Sequence, residues 1–167
     1  MTPDTLTAAL AGKILEQIDL TVRLMDRVPD ASWRPPIADA WSMGELMGHL
    51  LDCLAGFCAA LYKARPVRLA HFVELRNLPV NRMCGPAEAM DRVARYRAHI
   101  EEGFASLSDG DLGRKLPTVF VPDGESVLTL LLGNLEHLVN HKHQLFMYLK
   151  MVPVKVGTPD LYQFRGQ

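Results

Sequence analysis

The sequence predicts an all-α protein, a four-helix bundle formed as a single domain over residues 1–167. Two observations carry that expectation. Apolar residues recur at three-to-four spacing in four long segments, the period of an amphipathic helix. The stretches between them are punctuated by proline and glycine, with no strong strand pattern, no internal repeat and no sign of a domain boundary.

The first segment predicts a helix over 3–27. Thr2 serves as its cap and Pro3 as its first residue, with Leu6, Leu10, Ile14, Ile18 and Met25 along one face. VPDASWRPPIADA then breaks it with three prolines. The next start is clearly signed. Ser42 and Glu45 form the S-x-x-E capping box, and Trp41 with Leu46 fits the matching hydrophobic staple. This second helix runs to about Lys63. Residues 64–85 read as a loop with a helical turn. Pro86 opens a third helix with Met90, Val93, Tyr96 and Ile100 on one face, ending near SLSDGDLG. LPTVFVPDGES reads as an extended, hairpin-like excursion, 125–151 as the fourth long helix, and the tail VPVKVGTPDLYQFRGQ as irregular.

Composition narrows the function classes. Apolar residues make up 49% and charged residues 22%, and the formal net charge is -1. No basic stripe is present, so nucleic acid is not an expected partner. Cys53, Cys58 and Cys84 are odd in number and form no C-x-x-C pair, which points to a reducing compartment. Asp4, Lys13 and Glu16 interrupt the N-terminus where a signal peptide needs an apolar run. LMGHLLDCLAGFCAALY is broken by His49 and Asp52 and is short for a bilayer span. The expectation is a soluble, cytoplasmic protein with no membrane partner.

The chemistry concentrates in HLVNHKHQ, residues 137–144. Residues four apart on an α-helix differ by about 40° around the axis and residues two apart by about 200°. His137 and His141 therefore share a face at a spacing that lets two imidazoles hold one metal ion. His143 points elsewhere. Gln144 returns to the ligand face, where its amide can orient a bound water or substrate. A third ligand must come from another helix, and His49 in LMGHLL is the natural supplier.

Trp41 to Asp52 (WSMGELMGHLLD), followed about ninety residues later by HLVNHKHQ, resembles the DinB-like (DinB/YfiT) superfamily of metal-binding four-helix bundles. Its members typically show W-S-x-x-E-x-x-x-H-L-x-D on the second helix and H-x-x-x-H-R-G-Q on the last. ASWRPP and PDLYQF are similar to that family's approach to the second helix and to its tail. The resemblance implies a metal triad of His49, His137 and His141, and a homodimer. Lys142 and His143 stand where the family commonly has arginine and glycine.

Neighbouring residues carry plainer readings beside the functional ones. Glu45 is occupied by its capping box. Asp52 either accepts a ligand's second N–H or is a solvated charge at the bundle end. Cys53, four after His49, is either a small buried residue or a fourth ligand that closes the site. Cys58 and Cys84 read as packing, and His71 and His99 as surface or hydrogen-bonded residues.

Three neutral imidazoles leave a divalent ion (nickel, zinc, iron or manganese) with an open position. Some relatives look like transferases that use a low-molecular-weight thiol such as bacillithiol, mycothiol or glutathione. Two functions follow: a metal-dependent thiol S-transferase acting on a small-molecule substrate in stress response or detoxification, or a metal-binding bundle without catalysis. A carboxylate-bearing thiol needs a cation at the site mouth, for which Arg34, Arg82 and Lys142 are candidates.

Overall fold

The computed structural model describes residues 5–72, 82–118 and 121–163. Four long helices form the body: α1 (Leu6–Met25), α2 (Met43–Ala64), α3 (Pro86–Ala105) and, after a short helix α4 (Asp109–Leu112), α5 (Val127–Lys150). A short α6 (Thr158–Leu161) lies in the tail. Both α1 and α2 pack against α3 and α5, so α1 and α2 occupy one diagonal of the bundle and α3 and α5 the other. Between α4 and α5, β1 (Lys115–Leu116) pairs antiparallel with β2 (Glu125–Ser126), Lys115 facing Ser126. That hairpin matches the extended excursion expected of LPTVFVPDGES.

Each long helix buries an apolar stripe at helical spacing, although Leu6 at the start of α1 stays exposed. Ile14 and Ile18 of α1, Leu46, Leu50 and Phe57 of α2, and Tyr96 and Ile100 of α3 are at most 1% exposed. On α5 the stripe is Leu131, Leu138, Leu145 and Leu149, all fully buried. α2 is long and apolar enough to cross a membrane by length and composition, yet most of it is buried inside the bundle. Its apolar surface is already covered by its neighbours.

Three local details differ from the sequence expectation. α1 starts at Leu6, because Thr5 is extended and its side chain accepts from the Ala8 N–H at 3.1 Å. Thr2 and Pro3 lie outside the described residues. Leu6 is 53% exposed, and its N–H together with that of Thr7 is satisfied by the Asp109 carboxylate of α4, a cap delivered from across the bundle. The tail, expected to be irregular, contains the short helix α6, and the SLSDGDLG stretch, expected only to end the third helix, contains the short helix α4. The helical turn expected within 64–85 appears at residues 70–72, and 73–81 lie outside the described residues.

Candidate metal centre

The N-terminus of α2 is fixed from several sides, which fixes His49 two turns further on. The Ser42 hydroxyl accepts from the Glu45 N–H at 3.1 Å, and the Glu45 carboxylate accepts from the Ser42 N–H at 2.7 Å, completing the capping box. Those bonds hold the Glu45 carboxyl below its usual pKa, with Arg34 at 2.9 Å adding to the effect. Glu45 is thus structural. Gly44 and Gly48 let the 82–84 segment lie directly on the helix backbone. A Cβ on Gly48 would stand 2.0 Å from the Arg82 carbonyl oxygen, and the Cys84 N–H donates to the Gly44 carbonyl at 3.2 Å.

α5 is registered against α2 by one side chain. Asn134 Nδ2 donates to the Cys53 carbonyl at 2.6 Å, and a Cβ on Gly56 would come within 2.4 Å of the Asn134 amide oxygen. Asn134 was not singled out in the sequence, because a lone asparagine in a helix reads as surface.

With the two helices so placed, the three histidines come together. Ring centroids lie 5.0 Å apart for His49 and His137, 4.4 Å for His49 and His141, and 4.7 Å for His137 and His141. The Nε2 atoms of His49 and His137 are 3.0 Å apart. Cys53 also reaches the cluster: one donor atom each from His49, Cys53 and His137 lie within 4.8 Å of one another. His143 turns away, its ring beside Phe146 at 6.0 Å. His71 pairs with Glu102 at 2.8 Å, and His99 Nδ1 donates to the Arg95 carbonyl at 2.8 Å, both remote in role from the cluster.

On α5 the electrostatics favour the neutral form of the imidazoles. Partial burial, and then the charges that His141 and His49 would carry, hold the His137 pKa below its ordinary value. Burial does the same for His141, partly opposed by the hydrogen bond that its ring donates to Gln144. Gln144 Oε1 lies 2.9 Å from His141 Nδ1, while Gln144 Nε2 donates to the Tyr148 hydroxyl at 3.1 Å. An amide oxygen only accepts, so Nδ1 of His141 carries the proton and Nε2 keeps its lone pair. The role expected of Gln144 changes accordingly, from orienting a bound water to orienting a ring. Trp41 lies over His49 at 4.7 Å and His141 at 5.7 Å and forms an apolar wall of the cluster.

Clustered imidazole nitrogens, two of them on rings with lowered pKa values and one with its tautomer locked, are the donor chemistry that a borderline divalent cation accepts. The residues therefore fit such an ion. The Cys53 thiol is pushed up to about 12 by burial and by Asp52, so it is protonated at neutral pH unless a cation displaces the proton. Asp52 is half-buried, with Oδ1 shielded from solvent.

The three mouth candidates separate. Arg34 is bound to Glu45 and donates to the Ala40 carbonyl beside Trp41, so it lies near the rim. Arg82 is exposed above Gly48. Lys142 is not at the mouth. It is 3% exposed, and Nζ donates to Gln17 Oε1 at 2.6 Å and to the Leu161 carbonyl at 2.8 Å, because position 142 falls within the buried stripe of α5 and faces α1.

The sequence profile of the DinB superfamily matches residues 14–145, and the chain belongs to that superfamily. The fold is similar to the crystal structure of a DinB-like protein, YjoA, from Bacillus subtilis. The two superpose with a TM-score of 0.65 at 16% identity, over 89% of this chain and 96% of the other. No curated protein matches the chain.

Proposed function

We propose that this protein is a divalent-metal-dependent transferase in which a low-molecular-weight thiol is the nucleophile and a small electrophile the acceptor. The observation that carries the reading is the convergence of three imidazoles with an outer edge open to solvent, since His137 is exposed while Trp41 walls the other side. His49, His137 and His141 would hold the ion, Gln144 would keep the His141 proton on Nδ1, and Trp41 would exclude water from one flank. When bound, a divalent ion supplies Lewis acidity, lowering the pKa of a thiol that joins it. In the transfer the thiol would lose its proton to solvent, its sulfur would form the new bond to the electrophilic carbon, and the leaving group would depart with its electron pair. The proposal extends to a role in stress response or detoxification, a cytoplasmic location and a homodimer.

The test is metal analysis of the purified protein, followed by transfer assays with bacillithiol, mycothiol and glutathione before and after chelation. Activity that chelation removes and nickel, zinc or manganese restores supports the reading. A metal-loaded protein inert toward every thiol sinks it.

A second reading has its own observation, the nearness of Cys53 to His49 and His137. A thiolate there would complete a closed, structural site without catalysis. Cobalt substitution separates the two. Ligation by Cys53 gives a thiolate-to-cobalt charge-transfer band that Cys53→Ala removes, whereas the three-histidine site gives none and loses its cobalt spectrum in His141→Ala.

A further inference from the structure

We propose that the cavity on the far side of α5, between that helix, α1 and the tail, is a second binding site for a small molecule bearing a carboxylate on an apolar body. The cavity is about 420 Å³, within the range of small-molecule sites. Its floor is Lys142, an ammonium 3% exposed in the middle of an apolar helix stripe. Its apolar walls are Leu135, Val139 and Leu161, and its polar rim is Lys13, Asn140, His143 and Tyr162.

The argument for an anion rests on what surrounds the ammonium. Lys142 has three N–H donors. Two go to neutral oxygens, Gln17 Oε1 and the Leu161 carbonyl, and the Tyr162 ring lies 5.9 Å away. None of the ion pairs among the described residues involves Lys142. Glu16, whose charge reaches it as that of Lys13 does, is itself held by Lys13 at 2.5 Å and accepts from Gln17 Nε2 at 3.3 Å, so its charge meets Lys142 through the Gln17 amide. A buried cation among neutral acceptors is costly, and a carboxylate entering the cavity would supply both the missing charge and an acceptor for the third N–H. His143, which plays no part in the histidine cluster, lines the same cavity and adds a second group able to donate to an anion. Lys13 also lines the cavity, but its charge is matched by Glu16 at 2.5 Å. The one buried ammonium left without a carboxylate, beside apolar walls, suits a monoanion with a hydrocarbon chain better than a dianion such as phosphate.

The probe is hexanoate, titrated at neutral pH into isotopically labelled full-length protein, with hexanol and inorganic phosphate as comparisons and amide resonances as the readout. The expected result is saturable shifts at Val139, Asn140, His143 and Tyr162, with none at His49 or Cys53. Lys142→Met should weaken binding at least about tenfold, as loss of a charge-assisted hydrogen bond predicts. Val139→Trp fills the cavity while leaving both Nζ contacts in place, so it keeps the test decisive if Lys142→Met fails to fold. It should abolish the shifts. The proposal is overturned by non-saturating shifts, by hexanol or phosphate binding as well as hexanoate, or by hexanoate binding that survives Val139→Trp.

Discussion

Asn134 and Cys53, 81 positions apart in the chain, meet where the asparagine Nδ2 donates to the cysteine carbonyl at 2.6 Å. The contact lies about one helical turn from both His49 and His137, so it sets how far α2 and α5 slide past each other, and with that the gap between the two imidazoles. Asn134→Ala should cost about 1 kcal/mol, the usual net worth of one such bond. It should also weaken zinc binding roughly tenfold by loosening the support of the ligand rings. Denaturant melts paired with chelator competition measure both. Lost stability with unchanged zinc affinity would show that the contact holds the bundle but not the site.

Gly48 makes a sharper prediction. A methyl group there would stand 2.0 Å from the Arg82 carbonyl oxygen, which is backbone and cannot rotate aside. Gly48→Ala gains helix propensity of about 1 kcal/mol, but overpacking of this kind costs about 1–3 kcal/mol and often more. The net expectation is a lower melting temperature and a displaced His49, seen as reduced metal capacity. A variant more stable than the parent would mean that the 82–84 segment is free to move off α2.

These residues show where the sequence was legible. The four helices were, because apolar spacing is set by burial and each stripe is found largely buried, with Leu6 the exposed exception. The Ser42–Glu45 capping box was, because it is a local device. The convergence of His49 with His137 and His141 was approached from helical spacing and from family resemblance together; spacing alone places only the pair on α5. What stayed hidden depends on contacts distant in sequence. Trp41 matched a staple pattern, and its packing against the His49 and His141 rings was not foreseen. Lys142 was a candidate for the site mouth, yet it lies in the stripe that Leu138, Leu145 and Leu149 bury. The start of α1 was misplaced because its first N–H groups are capped by Asp109, more than a hundred residues away.

Gln144 is predicted to act through His141. Gln144→Ala removes the acceptor that fixes Nδ1–H, so both tautomers become available and Nε2 is no longer the reserved donor. Metal affinity should fall about 10–100-fold, with little change in helicity. Gln144→Glu restores an acceptor of greater basicity and should recover or exceed the parent affinity. Equal losses in both variants would show that the Tyr148 contact, which each changes, matters more than the imidazole.

The last prediction concerns pH. His137 and His141 are held below their ordinary pKa of 6.5 in the fold, so the unfolded chain takes up protons first as pH falls. Stability of the metal-free protein is then fully present above about pH 6.5 and declines as pH drops through the lowered folded values. On the alkaline side Lys142 is pushed down to about 8 by burial, from 10.5. Between those values the unfolded chain again holds more protons than the folded one, so stability should rise as pH passes about 8. The thiols act in the opposite sense. Burial raises Cys53 and Cys58 to about 12 and Cys84 to about 11, from 9.0, so above about pH 9 the unfolded chain loses protons first and stability falls. Chemical denaturation across this range should therefore show a maximum between about pH 8 and pH 9. Lys142→Met should remove the rise on its acid side and leave the decline on its alkaline side. A parent profile flat through pH 8 would mean that the Lys142 ammonium reaches water in the folded protein, contrary to its burial between α1 and the tail.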